Sequence, residues 1–261
     1  MTKKTKSAKL RLDLLVVERG FADAIPKAQA MILAGEVRVN GERSDKAGTL
    51  VKTDARIEIS GASPKYASRG GFKLEGALQD FAIDPAGRIC LDIGASTGGF
   101  TDCLLQHGAR RVYAVDVTPE QMLWRLQQDP RVKQFKANAR NLSAEQIPEP
   151  ADLVTVDVSF ISVAKVLPAV VAVAAPGAEC LILVKPQFEL DRKDIGAGGI
   201  VRDTALHERA VDRVKAAAID CGLTFDPGEG AVRPSRITGT EGNQEYFLHA
   251  RTPTVRGSTL S

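Results

Sequence analysis

Cysteine, histidine, aromatic residues and long apolar runs are all scarce in this chain. Its 261 residues include four Cys and three His, and aromatics make up only 5%. Cys90, Cys103, Cys180 and Cys221 are scattered. No two share the spacing of a zinc or redox pair, so no metal is expected and the thiols read as reduced and mostly buried. That chemistry suits a reducing compartment, the cytoplasm. No stretch approaches the ~18 consecutive apolar residues of a membrane span. The nearest run, residues 163–175, is broken by Lys165 and Pro168. The N-terminus is basic but lacks the apolar core of a signal peptide. These absences count against both a disulfide-stapled scaffold and a membrane-active protein.

The net charge of +3 conceals an uneven distribution. Residues 1–73 carry 15 Lys and Arg against 8 Asp and Glu, whereas residues 74–261 carry 20 against 24. Such asymmetry points the N-terminal part toward a polyanion. Residues 1–9 read as a disordered basic arm. Leu10, Leu14, Leu15 and Val17 then recur at helical spacing before Gly20, and a second helix fits Pro26 to Ala34, with Gly35 as its stop. Asp23 is placed to cap that helix, and Pro26 suits its first turn. Val37-Arg38-Val39-Asn40-Gly41 alternates and then turns, as does a strand entering a hairpin. Arg56 to Ile59 reads as a further strand. Residues 10–61 thus form a small α+β module, and residues 62–68 have linker composition.

From residue 69 to 252 the pattern becomes βα alternation, the signature of a parallel sheet covered on both faces. Strand-like runs begin near Arg88, Arg111, Asp152 and Cys180. Thr204 to Cys221 is amphipathic, Tyr246 to Ala250 reads as a last strand, and residues 253–261 form a polar tail.

Ile89-Cys90-Leu91-Asp92-Ile93-Gly94-Ala95-Ser96-Thr97-Gly98-Gly99-Phe100 runs from a strand through a glycine turn into a helix. The helix N-terminus offers free N–H groups and a positive dipole end. The spacing Gly94-x-x-x-Gly98-Gly99, preceded by an acid, departs from the dinucleotide pattern. It suits a methionine-derived cofactor, whose amino-acid tail would meet Asp92 and the turn backbone. Val112 to Val115 then leads to Asp116, 22 residues beyond Gly94, near the ~20-residue interval at which an acid grips a ribose diol. The competing reading is a plain strand–helix turn with a capping aspartate.

Two further strand-like runs end on charge. Leu153 to Val156 leads to Asp157, and Leu181 to Val184 leads to Lys185. Ligand crevices of doubly wound sheets lie beyond the carboxyl ends of the strands. Taken alone, the two residues read equally well as a strand-end salt bridge or as part of a reactive site. The glycine-rich loop from Leu190 to Val201 suits either a closing lid or a flexible surface loop.

Asp92 to Phe100, Asp157-Val-Ser-Phe-Ile-Ser162, Val184-Lys-Pro-Gln-Phe-Glu189 and Gly242-Asn-Gln-Glu245, in this order, resemble the TlyA (hemolysin A) family of FtsJ-like ribosomal-RNA 2′-O-methyltransferases. The N-terminal module resembles the S4 RNA-binding domain of that family. The resemblance spans residues 10–252. It implies a Rossmann-like methyltransferase domain using S-adenosylmethionine (SAM), and a Lys-Asp-Lys-Glu tetrad that falls on Lys73, Asp157, Lys185 and Glu245. It places the cofactor at Asp92, Gly94, Ser96, Thr97, Gly98, Gly99, Phe100 and Asp116. Expected RNA contacts are Lys9, Arg11, Lys27, Arg38 and Arg43. The module departs from the S4 pattern where a Ser-Arg pair would open its second helix, since Ala24-Ile25 stands there.

The implied substrate is a cytidine 2′-hydroxyl of ribosomal RNA, within ribosomal subunits. Lys185 would act as base or as stabiliser of the alkoxide, Asp157 would orient it, and Lys73 and Glu245 would steer the ribose. The rival readings are a non-catalytic ribosome-assembly factor and a haemolysin-type membrane-active protein.

Overall fold

The computed structural model describes residues 8–59, 65–226, 229–239 and 241–254. Most of the basic arm, the first three of the seven linker residues and most of the tail lie outside these residues. In chain order the first elements are β1 (Lys9–Arg11), α1 (Leu12–Glu18), α2 (Ile25–Leu33), β2 (Val37–Val39), β3 (Glu42–Arg43), β4 (Leu50–Lys52) and β5 (Ile57–Ile59). They are followed by α3 (Arg69–Asp80), β6 (Ile89–Ile93), α4 (Gly99–Gln106), β7 (Arg111–Asp116), α5 (Trp124–Gln127), β8 (Val132–Lys136) and β9 (Ala151–Val156). Last come α6 (Leu167–Val173), β10 (Ala174–Val184), α7 (Pro186–Glu189), α8 (Thr204–Asp220), β11 (Val232–Pro234) and β12 (Tyr246–Arg251).

The chain divides into two compact units. The first runs to Lys65 and takes in Leu123–Gln128; the second comprises Tyr66–Met122 and the chain from Asp129 onward. In the first unit, Leu12, Leu15, Val16, Ala28, Ile32 and Val37 close a small apolar core between the helices and strands. The helical periodicity around Leu10 is displaced by one element: Leu10 lies in β1, paired with Val51 of β4, and the helix begins at Leu12. Asp23 does not cap α2. The cap position is Ala24 without a side-chain bond, and Asp23 instead pairs with Lys27 at 3.2 Å. An aspartate one residue too early cannot reach the first free N–H groups, so it takes the lysine one turn on. Asn40 and Gly41, both at positive φ, make the hairpin turn between β2 and β3, the backbone that an Asn-Gly pair favours.

The second unit is built on a seven-stranded sheet of order β11-β12-β10-β9-β6-β7-β8. The five strands from β10 to β8 are parallel to their neighbours. β12 joins antiparallel to β10, and β11 antiparallel to β12, so the sheet is mixed rather than wholly parallel. Its centre is buried on both faces, as a covered sheet requires: Leu91, Ile93, Val154, Val156, Cys180, Ile182 and Val184 line one face, and Cys90, Leu153, Leu181 and Leu183, together with Asp92 and Thr155, line the other. All four thiols are free, three buried and Cys221 partly so. Tyr66 to Ser68, expected in the linker, belong to this second packing. Tyr66 is inaccessible, the Ala67 N–H donates to Asp102 at 2.7 Å, and Ser68 opens α3.

Candidate functional site

The chemistry-bearing residues collect where the parallel strands end. At the end of β6, Gly94 turns the chain with φ 87°. A side chain there would have its Cβ 2.3 Å from the Asp157 carbonyl oxygen, so glycine is required twice over, by conformation and by space. Gly98, at φ 94°, opens α4. Between them Ser96 is exposed and Thr97 half-buried. The Ser96 N–H donates to Asp116 at 2.8 Å, and Asp116 also accepts from the N–H and hydroxyl of Thr118. The half-exposed carboxylate at the end of β7 is thereby fixed against the glycine turn.

Three residues expected at the cofactor turn face inward. Asp92 is inaccessible, accepting from the Thr101 hydroxyl at 2.6 Å and the Thr155 hydroxyl at 3.1 Å. Burial pushes its carboxyl up to about 7, against the pull of those two hydroxyls. Phe100 stacks on Phe247 with ring centroids 6.1 Å apart and is part of the core. At Gly99 a Cβ would lie 2.2 Å from the Ser68 hydroxyl, so its missing side chain serves the close packing of α3 on α4. What remains open to a ligand is the exposed part of the turn around Ser96 and Thr97, the first N–H groups of α4 ahead of Thr101, and the half-exposed Asp116 carboxylate. That set fits an amino-acid carboxylate and a ribose diol.

The four tetrad positions form two ion pairs. Lys185, following β10, lies 2.5 Å from Asp157, following β9, and donates to the Ser159 hydroxyl at 2.7 Å. Lys73, from the second turn of α3, donates to Glu245 at 2.5 Å, and both are almost wholly buried. The register Val184↔Tyr246, continued by one residue, sets Lys185 opposite Glu245. Glu245 is further seated by its carbonyl, which accepts from the Ser235 N–H at 2.7 Å. A side chain at Gly239 would put its Cβ 2.7 Å from the Glu245 carboxylate, so the 239 turn passes directly against it.

Four residues quoted in the sequence motifs, but given no role there, are part of this region: Ser159, Phe160, Glu189 and Asn243. Phe160 is 88% exposed and held at φ 66°, a backbone region unfavourable for a bulky side chain. Its ring stands 5.4 Å from that of Phe188 on α7. Glu189 accepts from Ser162 and Val163. Asn243, inaccessible, accepts from the Val201 N–H and donates to the Gly199 carbonyl, both at 2.9 Å. His207 holds the Val201 carbonyl from the other side at 2.8 Å. These bonds fasten the Leu190–Val201 loop at its far end.

In the first unit the expected RNA contacts are exposed. Several are also engaged locally. Arg11 forks onto Asp13 at 3.0 and 2.6 Å, which holds the Asp13 carboxyl well below its usual range. Arg38 donates to the Gly41 carbonyl, and Arg43 reaches the Ala34 carbonyl across Gly35. Residues 8–59 carry 9 basic and 8 acidic residues. The N-terminal surplus therefore comes from Lys3, Lys4 and Lys6, outside the described residues, and from Lys65, Arg69 and Lys73.

The chain matches the model of the FtsJ-like methyltransferase family over residues 66–252 and that of the S4 domain over residues 10–57. It is 45% identical over 248 residues to the 16S/23S rRNA (cytidine-2′-O)-methyltransferase TlyA of Mycobacterium tuberculosis, covering 94% of this chain and 91% of that one. It is 42% identical over 242 residues to Hemolysin A of Brachyspira hyodysenteriae, covering 92% and 99%. A SAM-dependent methyltransferase structure from Mesorhizobium loti superposes with a TM-score of 0.50 at 18% identity, over 69% of this chain and 97% of that one, and shows the same fold. With an S4 domain ahead of an FtsJ-like domain and relatives of this closeness along nearly its whole length, the chain belongs to the TlyA (hemolysin A) family of FtsJ-like methyltransferases.

Proposed function

We infer that this protein is a SAM-dependent methyltransferase that transfers a methyl group to the 2′-hydroxyl of a ribosomal-RNA cytidine, acting on ribosomal subunits in the cytoplasm. The observation that carries the reading is the setting of Lys185 between Asp157 and Ser159, opposite the Lys73–Glu245 pair. The residues available to SAM are the Gly94–Gly98 turn, the N-terminus of α4 and Asp116. Asp92 braces the turn from beneath through Thr101 and Thr155. When bound, the cofactor supplies a methyl group on a sulfonium that leaves readily.

The chain's own task is to align the ribose oxygen and to favour the charge that builds on it as its proton departs. As an ammonium, Lys185 has three N–H donors. Ser159 takes one and Asp157 holds the ammonium by charge at 2.5 Å, which leaves donors for the ribose oxygen. A donor preset in this way acts on the transition state without reorganising. Lys73 and Glu245 form a buried wall of paired charge beside it. Phe160 and Phe188 offer an aromatic face next to the lysine, and unpaired RNA bases stack on such faces. The S4 unit supplies RNA affinity through backbone contacts.

The test is transfer of labelled methyl from SAM to ribosomal subunits and to naked ribosomal RNA, followed by mapping of ribose methylation. Label at a cytidine 2′-oxygen, lost in Lys185→Ala, is the expected result. Label on a base, or none, overturns the reading.

A further inference from the structure

Glu189 is a buried carboxylate, 3% exposed, that the chemistry above does not use. It closes α7, four residues beyond Lys185 and next to Phe188. Its two oxygens accept from the Ser162 hydroxyl at 2.5 Å and the Val163 N–H at 2.7 Å. Val163 is the first residue of the helical turn that leads into α6, and Ser162 stands at its cap position but makes no cap bond of its own. Its hydroxyl is turned to Glu189 instead. A carboxylate from 26 residues downstream thus takes the role of cap for this single turn, accepting its otherwise free N–H. Arg213 of α8 donates to the Glu189 carbonyl at 2.8 Å and so fixes the backbone that bears the carboxylate.

The segment so anchored is the one that carries Asp157, Ser159 and Phe160. Phe160 sits in left-handed backbone with its ring in solvent, a conformation that persists only where neighbours enforce it. On its upstream side the segment is held by the β9 ladder and by the Asp157 N–H, which donates to the Ile93 carbonyl at 2.9 Å. On its downstream side Ile161 packs against the core, and the first hydrogen-bonded anchors are the two bonds to Glu189. One short helix therefore presents Phe188 to Phe160 and Glu189 to the chain two and three residues beyond.

We propose that Glu189 is a positioning residue for methyl transfer: by binding Ser162 and Val163 it holds the Ser159–Phe160 turn against Lys185 and Phe188 in the arrangement that receives the nucleotide. The proposal rests on the functional reading above. Burial pushes the Glu189 carboxyl up, while the bonds from Ser162 and Val163 and the charge of Arg213 draw it down, so strong local donors hold an otherwise unfavourable buried acid in place.

The experiment compares wild type, Glu189→Ala, Glu189→Gln and Ser162→Ala in three measurements. These are single-turnover methyl transfer to ribosomal RNA at saturating SAM, SAM affinity, and amide exchange in the free protein. Glu189→Ala is expected to lower the transfer rate roughly 10- to 100-fold, the scale of losing charge-assisted bonds. SAM affinity should stay within about twofold, because the clamp touches none of the residues assigned to the cofactor. Exchange should quicken at residues 159–163 and stay unchanged at residues 92–97. Glu189→Gln keeps an acceptor for the Val163 N–H and should recover part of the rate. Ser162→Ala, the mildest change to the fold, should show a smaller loss of the same kind. A wild-type rate in Glu189→Ala overturns the proposal, as does parallel loss of rate and SAM affinity with exchange rising throughout the sheet. Absence of transfer by the wild type overturns the functional reading itself, and is told apart by the reference protein being inactive too.

Discussion

Lys73 and Glu245 stand 172 residues apart in the chain and 2.5 Å apart in the fold, both buried. Neither charge has an alternative partner of comparable closeness among the described residues. Removing one leaves the other desolvated and unpaired, which typically costs about 3–5 kcal/mol. Lys73→Ala and Glu245→Ala should each lower the thermal midpoint markedly. Lys73→Met combined with Glu245→Leu should restore much of the stability while leaving the enzyme inactive. Calorimetric unfolding of the four proteins checks this, and equal midpoints for the single and double variants would count against a shared buried pair.

Lys185 should matter for the chemical step rather than for binding. Lys185→Ala is expected to keep SAM affinity and lose roughly 10²–10⁴-fold in single-turnover rate. Lys185→Arg should also fail, since a planar guanidinium cannot occupy the site between Asp157 and Ser159 as a compact ammonium does. Near-normal transfer by either variant would leave alignment alone as the source of the rate.

Asp116 should carry cofactor affinity. Asp116→Ala removes the proposed diol acceptor and also frees the Ser96 N–H, so SAM should bind roughly 10- to 100-fold more weakly. Titration calorimetry measures it, and unchanged affinity would take Asp116 out of the site.

Asp92 should imprint a pH dependence on stability. Its carboxyl is raised by burial from 3.8 to about 7 in the folded protein. The folded state therefore binds this proton more tightly than the unfolded chain, and stability is lost as pH rises from about 4 to about 7. Asp92→Asn stays neutral throughout and should escape that loss. The stability of the variant relative to wild type should grow across this interval by up to a few kcal/mol and then level off. Urea unfolding at pH 5 and pH 8 is sufficient, and parallel curves would assign the titration elsewhere.

The N-terminal part should govern RNA affinity and little else. Deleting residues 1–61 should sharply weaken RNA binding and leave SAM binding nearly intact. Binding by the full chain should weaken as salt rises, because cationic contacts to phosphate release counterions. A salt-insensitive complex would be inconsistent with this division.

Much of the catalytic unit is legible in the amino-acid sequence itself. Asp157 and Lys185 directly follow the mostly apolar runs Leu153–Val156 and Leu181–Val184, and a charge at such a place announces itself. The Gly94 turn and the interval to Asp116 are equally plain. Lys73 and Glu245 are different, because a pair formed across 172 residues leaves no local spacing to read, and only the family resemblance selects them. Strands β1 and β4 have three residues each, too few for alternation to show, and Leu10 falls in with the helical period of its neighbours. The inward facing of Gly99 depends on how α3 packs against α4, that of Phe100 on Phe247 of the last strand, and that of Asp92 on hydroxyls from α4 and β9. The roles of Glu189 and Asn243 depend on loop paths that no periodicity encodes.

The order in which the strands enter the sheet bears on how the protein is made. β12 is the last strand in the described chain, yet it lies inside the sheet between β11 and β10 and follows directly on Glu245. During synthesis β10 therefore waits with an open edge, and Lys73 waits without its carboxylate, until residues 245–251 leave the ribosome. A strand edge exposed for that interval invites pairing with other chains. The same delay keeps a nascent chain, emerging beside the RNA it is inferred to modify, without its complete set of proposed catalytic charges until nearly all of the described chain has been made.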